Sequence, residues 1–200
     1  MKCFDARYNL LPKAELHCHL EGAIRTATII DIARQHGLEL PAYDPAALNP
    51  HVKVYDQLKD LAAVLDAFGI ARKCITTPAV VERIADELFE DAHAQNIRLL
   101  EVRFSPDWAF SGHRLDWDEA LAGLLRAKRR ATERFGMAIG LIAITSRSLG
   151  PASCEKTVDW AIRWQNQLCG IDLADSEIAY PIKDFVRPVL RAREAGLKVT

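Results

Sequence analysis

A nine-residue run, MAIGLIAIT at residues 137–145, is almost entirely apolar. Such a run is typical of a strand in a parallel sheet, because helices cover both faces of that kind of sheet. The run belongs to a regular alternation of short apolar segments and longer amphipathic ones. Strands are predicted at 14–19, 98–104, 137–145, 169–174 and 197–200, and helices at about 27–36, 56–74, 78–95, 116–136, 155–167 and 183–196, with a proline-containing loop at 38–57. This order is the βαβ pattern of an α/β fold.

Two architectures share that pattern, a doubly wound sheet and a (β/α)8 barrel. No GxGxxG or GxxxxGK[ST] motif follows any predicted strand, which removes the main support for a nucleotide-binding doubly wound fold. In either architecture, functional groups lie at the carboxyl ends of strands. In this sequence those ends hold His17 and His19, residues 103–106, residues 145–147 and residues 172–177.

Composition narrows the classes of partner. The chain has 200 residues, 50% of them hydrophobic, which suits one substantial core without an internal domain boundary. A net charge of -1 disfavours nucleic acid and anionic membranes as partners, and no run approaches the roughly 18 apolar residues that cross a bilayer. Five scattered cysteines and no secretory signal predict a reducing, cytoplasmic location.

The segment KAELHCHLEGAI places His17 and His19 one residue apart at the end of the first predicted strand. Side chains at i and i+2 of a strand point to the same face, so two imidazoles can converge on one point while Cys18 points away. Neutral imidazole is a good ligand for Zn²⁺, although a catalytic zinc usually has three protein ligands. Alone, the pair is equally compatible with an ordinary surface or core position.

Two further positions near strand ends have functional and structural interpretations. Glu21 follows the histidines on the same face, where it could accept hydrogen bonds from a substrate or serve as a loop carboxylate. Arg103 and Ser105 end the second predicted strand, and an arginine there more often ties loops together than contacts a substrate.

Four segments resemble the adenosine deaminase family, the metal-dependent (β/α)8 enzymes of the amidohydrolase superfamily, and its bacterial members in particular. LPKAELHCHLEGAIRTATIIDIA at 11–33 is similar to the opening of that family. LEVRFSPD at 100–107, LIAITSRSLG at 141–150 and GIDLADSE at 170–177 are similar to its third-, fourth- and fifth-strand segments. The resemblance implies that the chain is the N-terminal part, with about five strands, of a TIM-type barrel.

The resemblance also implies a site. His17 and His19 match the first two ligands of a single Zn²⁺ per active site, with His19 also facing the substrate, and Glu21 matches the acid that contacts the sugar or another distal part of the substrate. A helical i, i+3, i+4, i+7 stripe matches an apolar gate over the nucleoside, although such stripes usually pack in a core. The stripe consists of Leu61, Val64, Leu65 and Phe68.

Asp175 departs from the family pattern, which has glycine after DLA with its N–H directed at a purine ring nitrogen. An aspartate keeps the N–H but lacks the conformational freedom of glycine. Three consequences are open: its side chain crowds the purine, alters specificity or swings aside. The change weakens the assignment of adenosine as the substrate relative to another aminopurine or a modified nucleoside.

The implied activity is zinc-dependent hydrolytic deamination of adenosine and deoxyadenosine to inosine and deoxyinosine, in purine salvage. One alternative is an adenine or other aminopurine deaminase of the same family. Another is a non-catalytic barrel fragment that acts as a binding or assembly module. The third metal histidine and the proton-transfer glutamate are expected beyond Thr200, so residues 1–200 are expected to form a truncated and inactive portion of one barrel. His36, His51, His93 and His113 are predicted to be structural or surface residues.

Overall fold

A computed structural model of the protein describes residues 6–55 and 61–200. Its centre is a five-stranded, entirely parallel sheet whose spatial order follows the chain order. The strands are β1 Lys13–His19, β2 Ile97–Phe104, β3 Ala138–Ser146, β4 Gly170–Ala174 and β5 Lys198–Val199. The predicted α/β class and strand count are confirmed.

The strand numbers that the resemblance predicts are one too high. LEVRFSPD lies on β2, because β1 pairs directly with β2 from Lys13↔Ile97 to His19↔Arg103. LIAITSRSLG and GIDLADSE likewise lie on β3 and β4. The connection between β1 and β2 is long, and its described residues form helices rather than an additional strand.

Eight α-helices are described. They are α1 Thr26–His36, α2 Pro45–Val52, α3 Leu61–Arg72, α4 Pro78–Ala94, α5 Pro106–Ala109, α6 Trp117–Phe135, α7 Gly150–Arg163 and α8 Val186–Glu194. The predicted ends of α6 are confirmed: the Asp116 carboxylate accepts hydrogen bonds from the N–H groups of Asp118 and Glu119, and Gly136 ends the helix at φ 65°. These are the roles expected of an acidic N-cap and a left-handed C-terminal glycine.

The predicted loop at 38–57 was wrong in part, because it contains α2. Asp44 caps this helix by accepting hydrogen bonds from the N–H groups of Ala46 and Ala47, and Pro45 occupies the first turn. A proline is tolerated there because its missing N–H would have no partner within the helix. Pro45 therefore marks the start of a helix rather than its absence. None of the helices described in residues 6–55 and 61–200 is long and apolar enough to cross a bilayer.

The two faces of the sheet differ in character. On β2, Leu100, Val102 and Phe104 are fully buried in the apolar core formed with the helices. The alternate residues face the other way, and of these Leu99 is 41% exposed while Arg103 is buried as a charged side chain. We call the face that carries Leu100, Val102 and Phe104 the helix-covered face, and the face that carries Leu99 and Arg103 the polar face. Neighbouring residues lie on opposite faces because side chains alternate along a strand.

Candidate metal and substrate site

The candidate site lies where the strands end. β1 ends at His19, β2 at Phe104 and β4 at Ala174, and parallel strands bring these carboxyl ends to one edge of the sheet. Glu21, Ser105 and Asp175 follow directly in the loops. The edge predicted to hold functional groups is thus assembled from segments far apart in sequence.

His17 and His19 converge. Their Nε2 atoms are 3.1 Å apart and their ring centroids 5.1 Å apart. Two imidazole nitrogens on one tetrahedral zinc, each at about 2.0–2.1 Å, lie about 3.3 Å from each other, so the spacing fits a shared metal ion. Within residues 6–55 and 61–200, no group of three or more metal-ligating side chains occurs. The pair could therefore supply two ligands of a metal ion, and further ligands would have to come from other groups.

The imidazole of His19 is in the form that binds a metal. Burial, with smaller contributions from the neighbouring His17 and Arg103, lowers the pKa of His19 to about 4. At neutral pH the ring is therefore neutral and keeps a nitrogen lone pair available, as a metal ligand requires.

Glu21 is more deeply buried than its predicted contact with a substrate suggested. Its side chain is 1% exposed, and its Oε1 accepts a hydrogen bond from the N–H of Ser105 at 2.9 Å. Its Oε2 is also buried and has no hydrogen-bond partner among the described residues. Burial raises the pKa of Glu21 to about 7. The carboxyl group thus joins the loop after β1 to the loop after β2.

Phe68 is the member of the predicted apolar gate that lies beside the histidines. Its ring centroid is 5.5 Å from that of His19. Its Cε1 lies 2.6 Å from the position that a Cβ on Gly22 would occupy, so the ring rests against the glycine. Leu65 is exposed on the same helix. The backbone of Leu61 begins α3, but its side chain, like residues 56–60 of the predicted helix, lies outside the described residues.

Asp175 adopts the backbone conformation that glycine favours, with φ 87°. Its carboxylate accepts hydrogen bonds from Ser146 Oγ at 2.9 Å, the Ser148 hydroxyl and N–H, and the Ser176 N–H at 2.7 Å. Burial acts to raise the pKa of Asp175, but the hydrogen bonds outweigh it and hold the pKa below its ordinary value. The side chain therefore points toward the loop after β3. Whether Asp175 crowds a purine or alters specificity stays a prediction.

Sequence reasoning missed one polar interaction, the ion pair between Arg103 and Asp172. Arg103 Nη1 donates to Asp172 Oδ2 at 2.6 Å, and Arg103 Nη2 donates to the carbonyl oxygen of Leu16 at 2.9 Å. Both charged side chains are buried. Asp172 was visible as a lone carboxylate in the otherwise apolar strand GIDLA, which is a signal for a buried partner.

A model of the family described as adenosine deaminase matches residues 12–200. The chain belongs to the adenosine deaminase family. The adenosine deaminase of Shigella flexneri is 33% identical to it over 190 residues, which are 95% of this chain and 57% of that protein. This family membership confirms the resemblance drawn from the four sequence segments.

Solved structures of deaminase relatives share the fold. The adenine deaminase of Arthrobacter aurescens superposes with a TM-score of 0.84 at 28% identity, over 94% of this chain and 56% of that one. A Burkholderia ambifaria amidohydrolase with bound Zn gives 0.84 at 27% identity, over 97% and 52%. The five-stranded sheet is accordingly part of a (β/α)8 barrel, and the chain spans a little over half the length of each of these relatives.

The adenosine deaminase resemblance predicted a set of site residues, and the structure brings some of them together. His17, His19 and Phe68 are adjacent, and Glu21 lies two residues beyond His19 with its carboxylate buried. Asp175 is instead engaged by serines of the β3 loop. The other histidines lie apart from the pair: His93 stacks on Phe135, His113 bonds to the Lys73 carbonyl, and His36 and His51 are exposed.

Proposed function

We propose that this chain forms the N-terminal part of a zinc-dependent deaminase that hydrolyses adenosine and deoxyadenosine to inosine and deoxyinosine. The observation that carries the proposal is the 3.1 Å approach of the His17 and His19 Nε2 atoms at the carboxyl end of β1, in a chain of the adenosine deaminase family. The other metal ligands and the proton-transfer glutamate are proposed to follow Thr200, in the part of the relatives that this chain does not cover.

In this proposal, His17 and His19 hold the metal through Nε2. The zinc ion supplies Lewis-acid activation of water, which is the nucleophile in hydrolytic deamination. The low pKa of His19 keeps its imidazole neutral for that task. The bound zinc in the Burkholderia ambifaria relative supports the choice of metal.

Phe68 and Glu21 shape the part of the proposed site that would receive the substrate. The aromatic ring beside His19 presents an apolar surface suited to a purine and excludes water from the reacting atoms. Glu21 holds the loops after β1 and β2 together through Ser105, and its second oxygen is a buried acceptor without a partner among the described residues. A substrate hydroxyl could donate to that oxygen only after the surrounding loops move, because the oxygen is buried.

The test is a deamination assay on the complete protein. Purified protein should convert adenosine to inosine, which is measured by the fall in adenosine absorbance, and chelation followed by zinc addition should abolish and restore the rate. The isolated 200-residue chain is the matched control and should show no turnover. Bound zinc without turnover of any aminopurine would contradict the proposal and favour a non-catalytic binding or assembly module.

A second candidate substrate is adenine. It is favoured by the similarity to the adenine deaminase of Arthrobacter aurescens and by Asp175, which stands where the family pattern has glycine. Comparing kcat/KM for adenosine, deoxyadenosine and adenine on one preparation separates the candidates. A preference for the free base over both nucleosides would replace adenosine as the proposed substrate.

A further inference from the structure

The strand that carries both histidines is irregular at the first of them. Between Glu15 and Cys18, β1 advances three residues while its partner β2 advances two, from Leu100 to Val102. The extra residue is the arrangement of a β-bulge, which re-aims side chains and removes backbone groups from the ladder. Leu16 and His17 lie inside this bulge, so the regular sheet does not by itself fix the direction of the His17 imidazole.

Side chains engage the backbone of the bulge. The N–H of His17 donates to Glu15 Oε1 at 2.9 Å. The carbonyl oxygen of Leu16 accepts from Arg103 Nη2 at 2.9 Å. The peptide group between Leu16 and His17 is therefore held at both of its polar atoms by side chains, those of Glu15 and Arg103.

The guanidinium of Arg103 connects this peptide group to the far side of the sheet. Arg103 Nη1 donates to Asp172 Oδ2 on β4 at 2.6 Å, and its side chain is only 4% exposed. The backbone of Arg103 also accepts from the N–H of Leu20, directly after the second histidine. One residue thus contacts the chain before His17, the chain after His19, and β4.

We propose that Arg103 is a positioning residue that fixes the β1 bulge and thereby sets the separation and direction of the two imidazoles. The inference rests on the proposed function, in which His17 and His19 hold the metal. The Arg103 side chain acts through the Leu16 carbonyl and does not itself bind the metal. Its planar guanidinium can donate to a carbonyl and to a carboxylate at the same time, which a lysine ammonium at the end of a flexible chain does poorly.

Arg147 offers a matched control for a purely structural role. It too is 3% exposed, donates through one Nη to a carbonyl oxygen, that of Tyr180 at 3.1 Å, and pairs through the other with Glu177 at 3.1 Å. These contacts are with the loop after β4 and not with β1. A substitution there changes a similar buried guanidinium without touching the bulge.

The experiment compares metal binding and stability in the complete protein. Three proteins are stripped of metal: wild type, Arg103→Lys and Arg147→Lys. Each is titrated with Zn²⁺ in competition with a chromophoric chelator, and with Co²⁺ followed by visible absorption. Tm is measured on the metal-free forms. Arg103→Lys should keep the charge opposite Asp172 and remain folded, yet bind Zn²⁺ about 10–100-fold more weakly and give an altered Co²⁺ spectrum. Arg147→Lys should bind both ions like the wild type.

Each other outcome is decisive. Wild-type affinity and an unchanged Co²⁺ spectrum in Arg103→Lys would overturn the positioning role while leaving the proposed function intact. Wild-type protein that binds neither ion would overturn the proposed function, and the inference with it. Should Arg103→Lys fail to fold, Arg103→Gln combined with Asp172→Asn removes both buried charges; normal metal affinity in that variant, or loss of its fold, would assign Arg103 to stability alone.

Discussion

The two faces of one sheet use the same strands for different purposes. On the helix-covered face, Leu100, Val102 and Phe104 are fully buried and apolar. On the polar face, His19, Arg103 and Asp172 form a set of imidazole, guanidinium and carboxylate groups within a few residues of the strand ends. Because side chains alternate along a strand, stability and chemistry can be altered separately here, and substitutions on the two faces should have separable effects.

The largest effect is expected on the helix-covered face. Phe104→Ala should lower the free energy of unfolding by about 3–5 kcal/mol, because Phe104 is fully buried beside Phe110 and Trp160. Leu99→Ala is the control on the opposite face and should cost less than about 1 kcal/mol in the 200-residue chain, since Leu99 is 41% exposed there. Urea unfolding measures both, and equal losses would contradict the division into two faces.

Removing an imidazole from the polar face should have the opposite result, a large loss of metal affinity with little change in stability. His17→Ala in the complete protein should lower zinc affinity more than about 100-fold, or about 2.8 kcal/mol, and abolish activity. In the metal-free 200-residue chain, where His17 is exposed, the same substitution should change stability little. His36→Ala, also exposed, is the control. Full activity with metal retained in His17→Ala would refute the ligand role.

A smaller loss of stability, which depends on pH, is expected on replacing Asp175 at the edge of the polar face. The pKa of Asp175 is held below its ordinary value in the folded protein. Its carboxylate therefore contributes stability that is fully present above the unfolded pKa of about 3.9. This contribution is lost as pH falls through the lower folded pKa. Asp175→Asn should cost about 1 kcal/mol at pH 7, and the difference from wild type should shrink below about pH 4. Urea midpoints at several pH values test this.

Asp66→Asn provides the comparison for Asp175. Asp66 is exposed on α3, so this variant should change stability by less than about 0.5 kcal/mol at pH 7. A loss in Asp175→Asn that stayed constant from pH 7 to pH 2.5 would argue against the carboxylate hydrogen bonds as its source.

The smallest effect on stability is expected at Gly22. A methyl group there would lie 2.6 Å from Phe68 Cε1, so Gly22→Ala should push the ring away from His19 at a cost of about 1 kcal/mol or less. The nuclear Overhauser effect between the two rings should weaken. Gly112→Ala meets nothing within 4 Å and should leave it unchanged. An undisturbed ring contact in Gly22→Ala would show that Phe68 does not rest on the glycine.

The sequence predicted those features of the fold and of the site that depend on short-range periodicity. The strand alternation, the Asp116 and Gly136 caps and the convergence of His17 with His19 all follow from residue spacings of a few positions, and the structure has them. Family resemblance added the barrel, which a spacing argument alone left undecided between two architectures. The apolar stripe contains Phe68, whose ring lies beside His19, and its role as a gate over the nucleoside stays a prediction.

What sequence did not predict depends on contacts between distant segments. The bulge in β1 is a property of its register against β2, and the burial of Glu21 depends on the Ser105 loop. Asp175 takes a left-handed backbone because serines from another loop hold its carboxylate. The Arg103–Asp172 pair joins residues on strands that are not neighbours in the sheet.

The connection between β1 and β2 has a consequence for how the protein folds. Residues 20–96 separate these two strands, whereas only 105–137 separate β2 from β3 and 147–169 separate β3 from β4. Closing a longer loop costs more conformational entropy, by about 0.6 kcal/mol for each doubling of its length, and such non-local pairing slows folding. We therefore expect β1 to dock last, onto a preformed β2–β4 sheet, so that the two imidazoles reach their final positions in the closing step of folding.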